Sequence, residues 1–186
     1  MIYIKDEEFI RGNCPMTKEE IRILSVAKLK LKKHYRVLDI GAGTGSVAIQ
    51  TAKECADGEV IAIEKENEAL ETLQRNIEKF QCSNIKVIAL EALEAEKNIE
   101  GDFDAIFVGG SGGNIEEIIK SYGNKLKYGA VMVLNFITID NLYKAMETLK
   151  ALNYKAECSQ ISVSKTRGNS YMLMANNPIF IVTAVK

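Results

Sequence analysis

Three glycines at alternate positions follow Asp39, and this arrangement is typical of a turn that holds a cofactor. The apolar residues around Asp39 predict a buried strand, and an amphipathic segment begins directly after Gly45. Gly41, Gly43 and Gly45 can adopt backbone angles that side chains forbid, so their amides can lie close to a ligand. A carboxylate at the end of an apolar strand is costly without a donor, which a turn amide or a ligand amine would supply. We therefore predict that this segment binds a cofactor.

The glycine spacing indicates which cofactor it is. A dinucleotide-binding turn reads Gly-x-Gly-x-x-Gly beneath a pyrophosphate, but here the third glycine comes one residue early and Ser46 takes the fingerprint position. An acid just before Gly-x-Gly-x-Gly suits a cofactor that has no phosphate and carries an ammonium at an amino-acid end. The segment resembles the first motif of the class I S-adenosylmethionine (SAM) methyltransferases. A dinucleotide site and a plain strand–helix turn stay open as alternatives.

A second carboxylate ends the next predicted strand, Glu59–Glu64. An acid at this position accepts hydrogen bonds from the ribose hydroxyls in Rossmann-like nucleotide sites. A charged acceptor makes each such bond worth roughly 1.5–3 kcal/mol. NAD and SAM share this ribose, so Glu64 indicates an adenosine site without choosing between them. The alternative is that Glu64 caps the helix that begins near Glu66.

Alternating strand and helix patterns must position these residues, and they predict an α/β fold. We expect a Rossmann-like, doubly wound, mostly parallel seven-stranded sheet with a C-terminal antiparallel hairpin. Strands are predicted near residues 36–40, 59–64, 85–90, 103–108, 129–135, 155–165 and 179–186, and helices near 45–55, 66–80, 114–126 and 139–151. Thr17 to Glu20 reads as a capping box that begins an earlier helix. One domain would comprise a lid and helix segment (1–35), a cofactor core (36–152) and the edge hairpin (153–186).

The other strand ends are candidate site positions, because ligands bind beyond the carboxyl ends of parallel strands. Residues after the third strand could frame an adenine ring, although a simple loop fits as well. The fourth strand ends in four glycines around one serine, whose amides could form an anion nest; a flexible turn is the alternative. Asn135 ends the fifth strand, where it could face a substrate or serve the turn. The candidate substrate residues are Gly109, Gly110, Ser111, Gly112, Gly113 and Asn135.

Composition excludes several classes of protein. With 24 Lys and Arg against 25 Asp and Glu, the net charge of −1 argues against a broad nucleic-acid surface. All apolar runs are short and the start of the chain has no signal-peptide core, so we expect no membrane segment and a cytoplasmic location. Four separated cysteines and one histidine argue against a disulfide framework or a metal site.

Three segments together resemble one methyltransferase family. Pro15–Arg22, Asp39–Ser46 and Phe107–Gly113 are similar to the decarboxylating precorrin methyltransferase of cobalamin biosynthesis. That family methylates carbon 15 of a contracted tetrapyrrole and removes carboxylate from an acetate side chain. The resemblance implies a tetrapyrrole substrate, a separate carbon 5 precorrin methyltransferase as pathway partner, and a homo-oligomer, expected as a tetramer. The residues it implies for SAM binding are Thr17, Asp39, Gly41, Ala42, Gly43, Thr44, Gly45, Glu64 and Ala92.

The chemistry requires alignment more than proton transfer. SAM carries an activated methyl group and a reduced tetrapyrrole offers a nucleophilic carbon, so no strong base is required and no catalytic residue is assigned. Basic side chains at the mouth would meet the substrate carboxylates, with a solvated surface as the alternative; the candidates are Arg11, Lys18, Arg22, Lys165 and Arg167. An RNA or protein methyltransferase is the nearest rival function, opposed by the absence of a base-clamp motif and of basic excess. A non-catalytic SAM-binding module and a dehydrogenase are more distant alternatives.

Overall fold

The computed structural model describes residues 3–110, 112–167, 169 and 171–186, without the side chain of Arg167. Its strands are β1 (Arg36–Ile40), β2 (Glu59–Glu64), β3 (Ile85–Ala89), β4 (Phe103–Val108), β5 (Leu126–Phe136), β6 (Lys155–Ile161), β7 (Ser164–Arg167), β8 (Met172–Ala175) and β9 (Ile179–Val185). Its helices are α1 (Glu19–Lys28), α2 (Ser46–Glu54), α3 (Asn67–Phe80), α4 (Ala92–Glu96), α5 (Ile115–Asn124) and α6 (Ile139–Ala151), preceded by a 3-10 turn at Asp6–Glu8. Within the described ranges, no helix has the length and apolar character needed to cross a membrane.

Seven strands form one sheet in the order β3-β2-β1-β4-β5-β9-β6. All pairings from β3 to β5 are parallel, and β9 runs antiparallel to both of its neighbours, β5 and β6. The predicted mostly parallel seven-stranded sheet with an antiparallel C-terminal pair is therefore confirmed. The short helix α4 and the separate two-stranded hairpin β7–β8 were not predicted.

Helices cover both faces of the sheet. Buried residues of α1, α2 and α3 pack with one set of alternate strand side chains, such as Val37 and Val60. Those of α4, α5 and α6 pack with the other set, such as Leu38 and Ile61. Because both faces are covered, the central strands are apolar almost throughout, which made them visible in the sequence.

The strand register brings the predicted site together. Ile40 pairs with Ile63 on one side and with Val108 on the other. The residues that follow these three, Gly41, Glu64 and Gly109, therefore lie side by side at the carboxyl edge of the sheet. This is the point at which the strand order reverses direction, where doubly wound folds bind their ligands.

The predicted capping box at Thr17 is wrong. Helix α1 begins at Glu19 with Lys18 at the N-cap position, and no side chain caps it. The backbone carbonyl of Thr17 instead accepts a hydrogen bond from Nη1 of Arg22 at 2.8 Å. A guanidinium from the first turn of α1 therefore binds the backbone where a capping side chain was expected, and the capping-box pattern did not indicate it.

Arg22 is a buried anchor for the N-terminal segment rather than a cation at the mouth of the site. Its side chain is fully buried and stacks over the ring of Phe9, with its guanidinium carbon 4.8 Å from the ring centre. Nε donates to Oε1 of Gln50 at 3.0 Å, and Nη1 donates to Oδ1 of Asp6 at 2.9 Å. Nη2 donates to the carbonyl oxygen of Ile4 at 2.6 Å. A buried charge with this many partners has a structural role.

Asn76 on α3 provides a second anchor. Its amide exchanges two hydrogen bonds with the backbone of Ile10, both at 2.8 Å. Its Nδ2 also donates to the carbonyl oxygen of Thr44 at 2.9 Å. One buried side chain therefore joins the N-terminal segment to the glycine turn.

Candidate active site

A cleft of about 950 Å³ lies at the carboxyl edge of the sheet. This volume is near the top of the range of roughly 300–1,000 Å³ for small-molecule sites. Of the predicted ligand contacts, those that line it are Thr17, Gly41, Ala42, Gly43, Glu64, Ala92, Gly109, Gly110, Gly112, Gly113 and Asn135. Asp39, Thr44 and Gly45 do not line it, and Ser111 lies outside the described residues. One cleft therefore contains most positions predicted for both cofactor and substrate.

The two glycine loops touch each other through bare backbone. Gly41 has a φ of +73°, and a Cβ atom there would lie 2.7 Å from the amide nitrogen of Gly110. The amides of Gly109 and Gly110 donate to the carbonyl oxygen of Ile40 at 2.9 and 3.3 Å. The first glycine is therefore required for contact between the loops after β1 and β4, in addition to any contact with a ligand.

Gly43 and Gly45 differ in what surrounds them. A Cβ atom on Gly43 would lie 3.1 Å from the carbonyl oxygen of Pro15, so the N-terminal segment crosses the turn at this point. A Cβ atom on Gly45 would lie 2.2 Å from Cδ1 of Leu73, inside the core. Gly45 therefore allows α3 to pack against the start of α2. The cofactor contacts predicted for Thr44 and Gly45 stay predictions.

Glu64 holds the glycine turn in place. The side chain is 9% exposed, and its Oε2 accepts a hydrogen bond from the amide of Gly43 at 2.8 Å. Oε1 accepts from the amides of Lys65 at 2.7 Å and Glu66 at 3.0 Å, which lie just before α3. A carboxylate offers about four lone-pair positions, so one position on Oε2 is left. Glu64 can accept one ribose hydroxyl as it stands, and a second only by releasing an amide.

Asp39 is a buried carboxylate that accepts no hydrogen bond of normal geometry. It is 2% exposed, and no donor in the described part of the chain meets either oxygen within hydrogen-bonding geometry, although the amide of Ala48 lies near enough to influence it. Burial raises its pKa to about 7; the charge of Glu64 adds to the rise and the amide of Ala48 in α2 opposes it. Buried carboxylates are normally satisfied, so this one, beneath a glycine cradle, fits a site whose ligand brings a positive charge or reorders the turn. The residues present therefore fit SAM.

The predicted adenine side is formed by the start of α4. Glu91 caps this helix, accepting a hydrogen bond from the amide of Leu93 at 2.8 Å. The carbonyl oxygen of Ala92 accepts from the hydroxyl of Tyr122 at 2.5 Å. Leu90 and Ala92 both line the cleft on this side. The small Ala92 side chain is thus held in a fixed place beside the predicted ribose carboxylate.

The opposite side of the cleft contains residues that sequence reasoning missed. Asn135 lines it as predicted, with its amide hydrogen-bonded to the hydroxyl of Ser25 at 3.0 Å. The lining residues that were not predicted include Met16, Phe136, Ile137, Asn141, Ile161, Val163, Asn176, Asn177 and Ile179. They come from β5, β6, β9, α6, the N-terminal segment and the loops between strands, which only the tertiary fold brings together, so no local signal could have found them.

Only one of the described basic side chains predicted at the mouth lines the cleft, and that is Lys18. Lys165 instead pairs with the start of α1, with Nζ 2.7 Å from Glu19 and 2.5 Å from Glu20. The hydrogen bond from Lys165 lowers the pKa of Glu19 to about 2. Lys165 therefore ties the β7–β8 hairpin to α1.

Comparison with known proteins gives one consistent result. Residues 8–186 match the family described as precorrin methyltransferase domain. The probable cobalt-precorrin-6B C(15)-methyltransferase (decarboxylating) of Sulfurisphaera tokodaii is 41% identical, with 98% of this chain and 97% of that protein covered. The cobalt-precorrin-6B C(15)-methyltransferase (decarboxylating) of Salmonella typhimurium is 37% identical, with 98% and 96% covered. The crystal structure of precorrin-6y C5,15-methyltransferase from Geobacter metallireducens has a TM-score of 0.94 at 37% identity, with 100% and 97% covered.

Proposed function

Because this chain belongs to the precorrin methyltransferase family, we propose that it methylates carbon 15 of a cobalt-precorrin with SAM and decarboxylates an acetate side chain. The family resemblance read from three sequence segments is confirmed. The chain is a SAM-dependent methyltransferase, and its named relatives carry out the decarboxylating reaction. The observation that carries the proposal is a single cleft that joins the Gly41–Gly43 cradle, Glu64 and the glycines that follow β4 (Gly109, Gly110, Gly112 and Gly113).

The β1–β2–β3 side of the cleft supports the cofactor part of the proposal. SAM supplies a methyl group activated by a sulfonium centre. Gly41 to Gly43 would hold its methionine end, Glu64 would accept a ribose hydroxyl, and Ala92 would lie beside the adenine. Asp39 lies two residues before Gly41, where an ionised carboxylate would stabilise the positive charge of a ligand held by the cradle. Thr17 would contact the cofactor from the N-terminal segment, which crosses the turn at Gly43.

The reaction needs alignment and exclusion of water. SAM would supply the methyl group to carbon 15, which would form the new bond with an electron pair of the ring, and the pair of the old carbon–sulfur bond would stay on sulfur. In decarboxylation the bond to the carboxylate breaks, carbon dioxide leaves, and the electron pair passes into the conjugated ring until the side-chain carbon takes up a proton. The protein would contribute the positioning of the two ligands in one cleft.

The test is incubation of the purified protein with SAM and cobalt-precorrin-6B, followed by mass spectrometry. The expected product has gained one methyl group and lost one carbon dioxide, and an incubation without SAM gives neither change. A methylated product that keeps every carboxylate would overturn the decarboxylating part. Absence of methyl transfer, with SAM bound, would overturn the proposed acceptor.

Self-association is part of the proposal. The β7–β8 hairpin lies outside the main sheet and exposes apolar side chains. They are Tyr171, Met172, Leu173 and Met174. A two-stranded hairpin has unpaired edges, so a second copy of this chain is the partner that it fits, within a homo-oligomer expected as a tetramer. Light scattering on the wild type and on Leu173→Lys tests this, because the charged variant should dissociate. A separate carbon 5 methyltransferase would act beside it in the cytoplasm.

A further inference from the structure

The two sides of the cleft, which are formed by different strands of the sheet, differ in charge. Four glutamates line the side formed by the ends of β2 and β3: Glu64, Glu66, Glu68 and Glu91. On the side formed by β5, β9 and β6, the described lining residues include no carboxylate. Their polar side chains there are the amides of Asn135, Asn141, Asn176 and Asn177. The crossing of the Gly41 and Gly110 loops lies between the two sides.

Lys18 supplies the positive charge on the amide side. Two cations line the cleft among the described residues, Lys18 and Lys65. Lys65 lies among the glutamates, with Nζ 3.9 Å from Glu66. Lys18 stands at the start of α1, which packs over β5 and β9, and its ammonium has no hydrogen-bond or ion-pair partner in the described ranges. The side-chain amides of Asn141, Asn176 and Asn177 are equally without described partners.

We propose that Lys18, with the amides of Asn141, Asn176 and Asn177, forms a subsite that binds carboxylates of the acceptor. This inference rests on the proposed function, which supplies an acceptor with many carboxylates. The glutamate side attracts a cationic cofactor and repels carboxylates, so charge alone orients the two ligands. Phe136, Ile137 and Ile179 line the same side and give the flat ring an apolar surface.

Neutral amides suit an acceptor that must lose one carboxylate. A bidentate guanidinium would hold each carboxylate by two hydrogen bonds between opposite charges, whereas a side-chain amide N–H brings no charge of its own and holds it less strongly. Lys18 can bind one carboxylate that stays on the product. The amides can bind the other carboxylates weakly enough for one of them to leave as carbon dioxide. Lys18 is therefore assigned as a specificity-determining and positioning residue.

The experiment measures binding of uroporphyrin, a porphyrin octacarboxylate, by its fluorescence, and binding of SAM by calorimetry. Lys18→Gln should weaken uroporphyrin binding by about tenfold, as expected for loss of one charge-assisted contact. Its affinity for SAM should stay within about twofold of wild type. The double variant Asn176→Ala/Asn177→Ala should also weaken uroporphyrin binding. The matched control is Lys65→Gln, which removes the cation on the glutamate side and should leave uroporphyrin binding unchanged.

Three results would overturn the subsite. They are no uroporphyrin binding by wild type, an unchanged affinity in Lys18→Gln, and an equal loss of SAM and uroporphyrin affinity in that variant. In turnover with cobalt-precorrin-6B, Lys18→Gln should raise KM and preserve kcat, which a general folding defect would not do. Failure of the proposed function shows separately, as absence of turnover by wild type.

Discussion

Replacing Glu64 should weaken SAM binding mainly through the ribose. Three amides already occupy this carboxylate, at 2.7, 2.8 and 3.0 Å, and one lone-pair position on Oε2 is left for a ligand hydroxyl. A hydrogen bond to a charged acceptor contributes roughly 1.5–3 kcal/mol, which corresponds to about 10–150-fold in affinity. Glu64→Ala should lose this binding free energy, and it should also leave the amide of Gly43 without its acceptor. Glu64→Gln keeps one acceptor oxygen but turns an amide donor toward at least one backbone N–H, so we expect a loss of about tenfold or more.

The assay separates the ribose contact from the support of the turn. Calorimetry compares S-adenosylhomocysteine with its 2′,3′-dideoxy analogue on wild type and on Glu64→Ala. If the carboxylate binds the ribose, the ratio of wild-type to variant affinity is large for S-adenosylhomocysteine. For the dideoxy analogue the ratio is smaller, because only the lost support of the glycine turn still weakens binding. Equal ratios for both ligands would refute the ribose contact and leave Glu64 as a support for Gly43 alone.

Three further predictions concern the surroundings of the cleft. Because Asp39 has a pKa of about 7 in the free protein and a cationic ligand favours its ionised form, SAM affinity should fall as the pH drops below 7. Asp39→Asn should remove that dependence. It should also stabilise the free protein at pH 8, where the buried carboxyl is ionised, but not below about pH 3, where the carboxyl is neutral in both the folded and the unfolded states. An Asp39→Asn variant whose SAM affinity has the same pH profile as wild type contradicts this. Gly45→Ala should lower the free energy of unfolding by about 2–3 kcal/mol because its Cβ would meet Leu73. The control is Gly129→Ala, where φ is similar at +77° and an added Cβ would meet no atom within 4 Å. Its free energy of unfolding should fall by only about 1 kcal/mol. Equal losses in denaturant titrations of the two variants would contradict the packing argument. Arg22→Met should lower the free energy of unfolding by about 3 kcal/mol. This is the low end of the cost of breaking a buried ion pair, because Asp6 is 22% exposed. The variant should also speed proteolysis of the N-terminal segment. The control Lys144→Met, which removes an exposed ion pair with Asp140, should change neither the free energy of unfolding nor the rate of proteolysis.

The sequence predicted the parts of the molecule whose signals are local. The strands that end at Ile40, Glu64 and Val108 are buried on both faces, so their apolar runs stand out. The glycines and the carboxylate that follow them are likewise visible without knowledge of any contact. The position of the site therefore followed from the carboxyl ends of the parallel strands that the alternating pattern implied.

The remaining features depend on contacts between distant segments. The sequence predicts Arg22 at the mouth of the site, with a solvated surface as the alternative, because nothing in its neighbourhood shows that Gln50 and Asp6 surround it. The role of Gly45 in packing depends on Leu73, which lies in another helix. The amide side of the cleft joins loops near β5 and β9, and the relevant asparagines have no spacing that indicates a site.

The two anchors of the N-terminal segment also determine the order in which the site is completed during synthesis. Arg22 and Ile10 leave the ribosome before their partners Gln50 and Asn76. The segment that covers the glycine turn must therefore wait for these distant partners until α3 has been translated and has docked. A nascent chain can form the first strands early, but it acquires a covered cofactor cleft only afterwards, so the region translated first becomes ordered late.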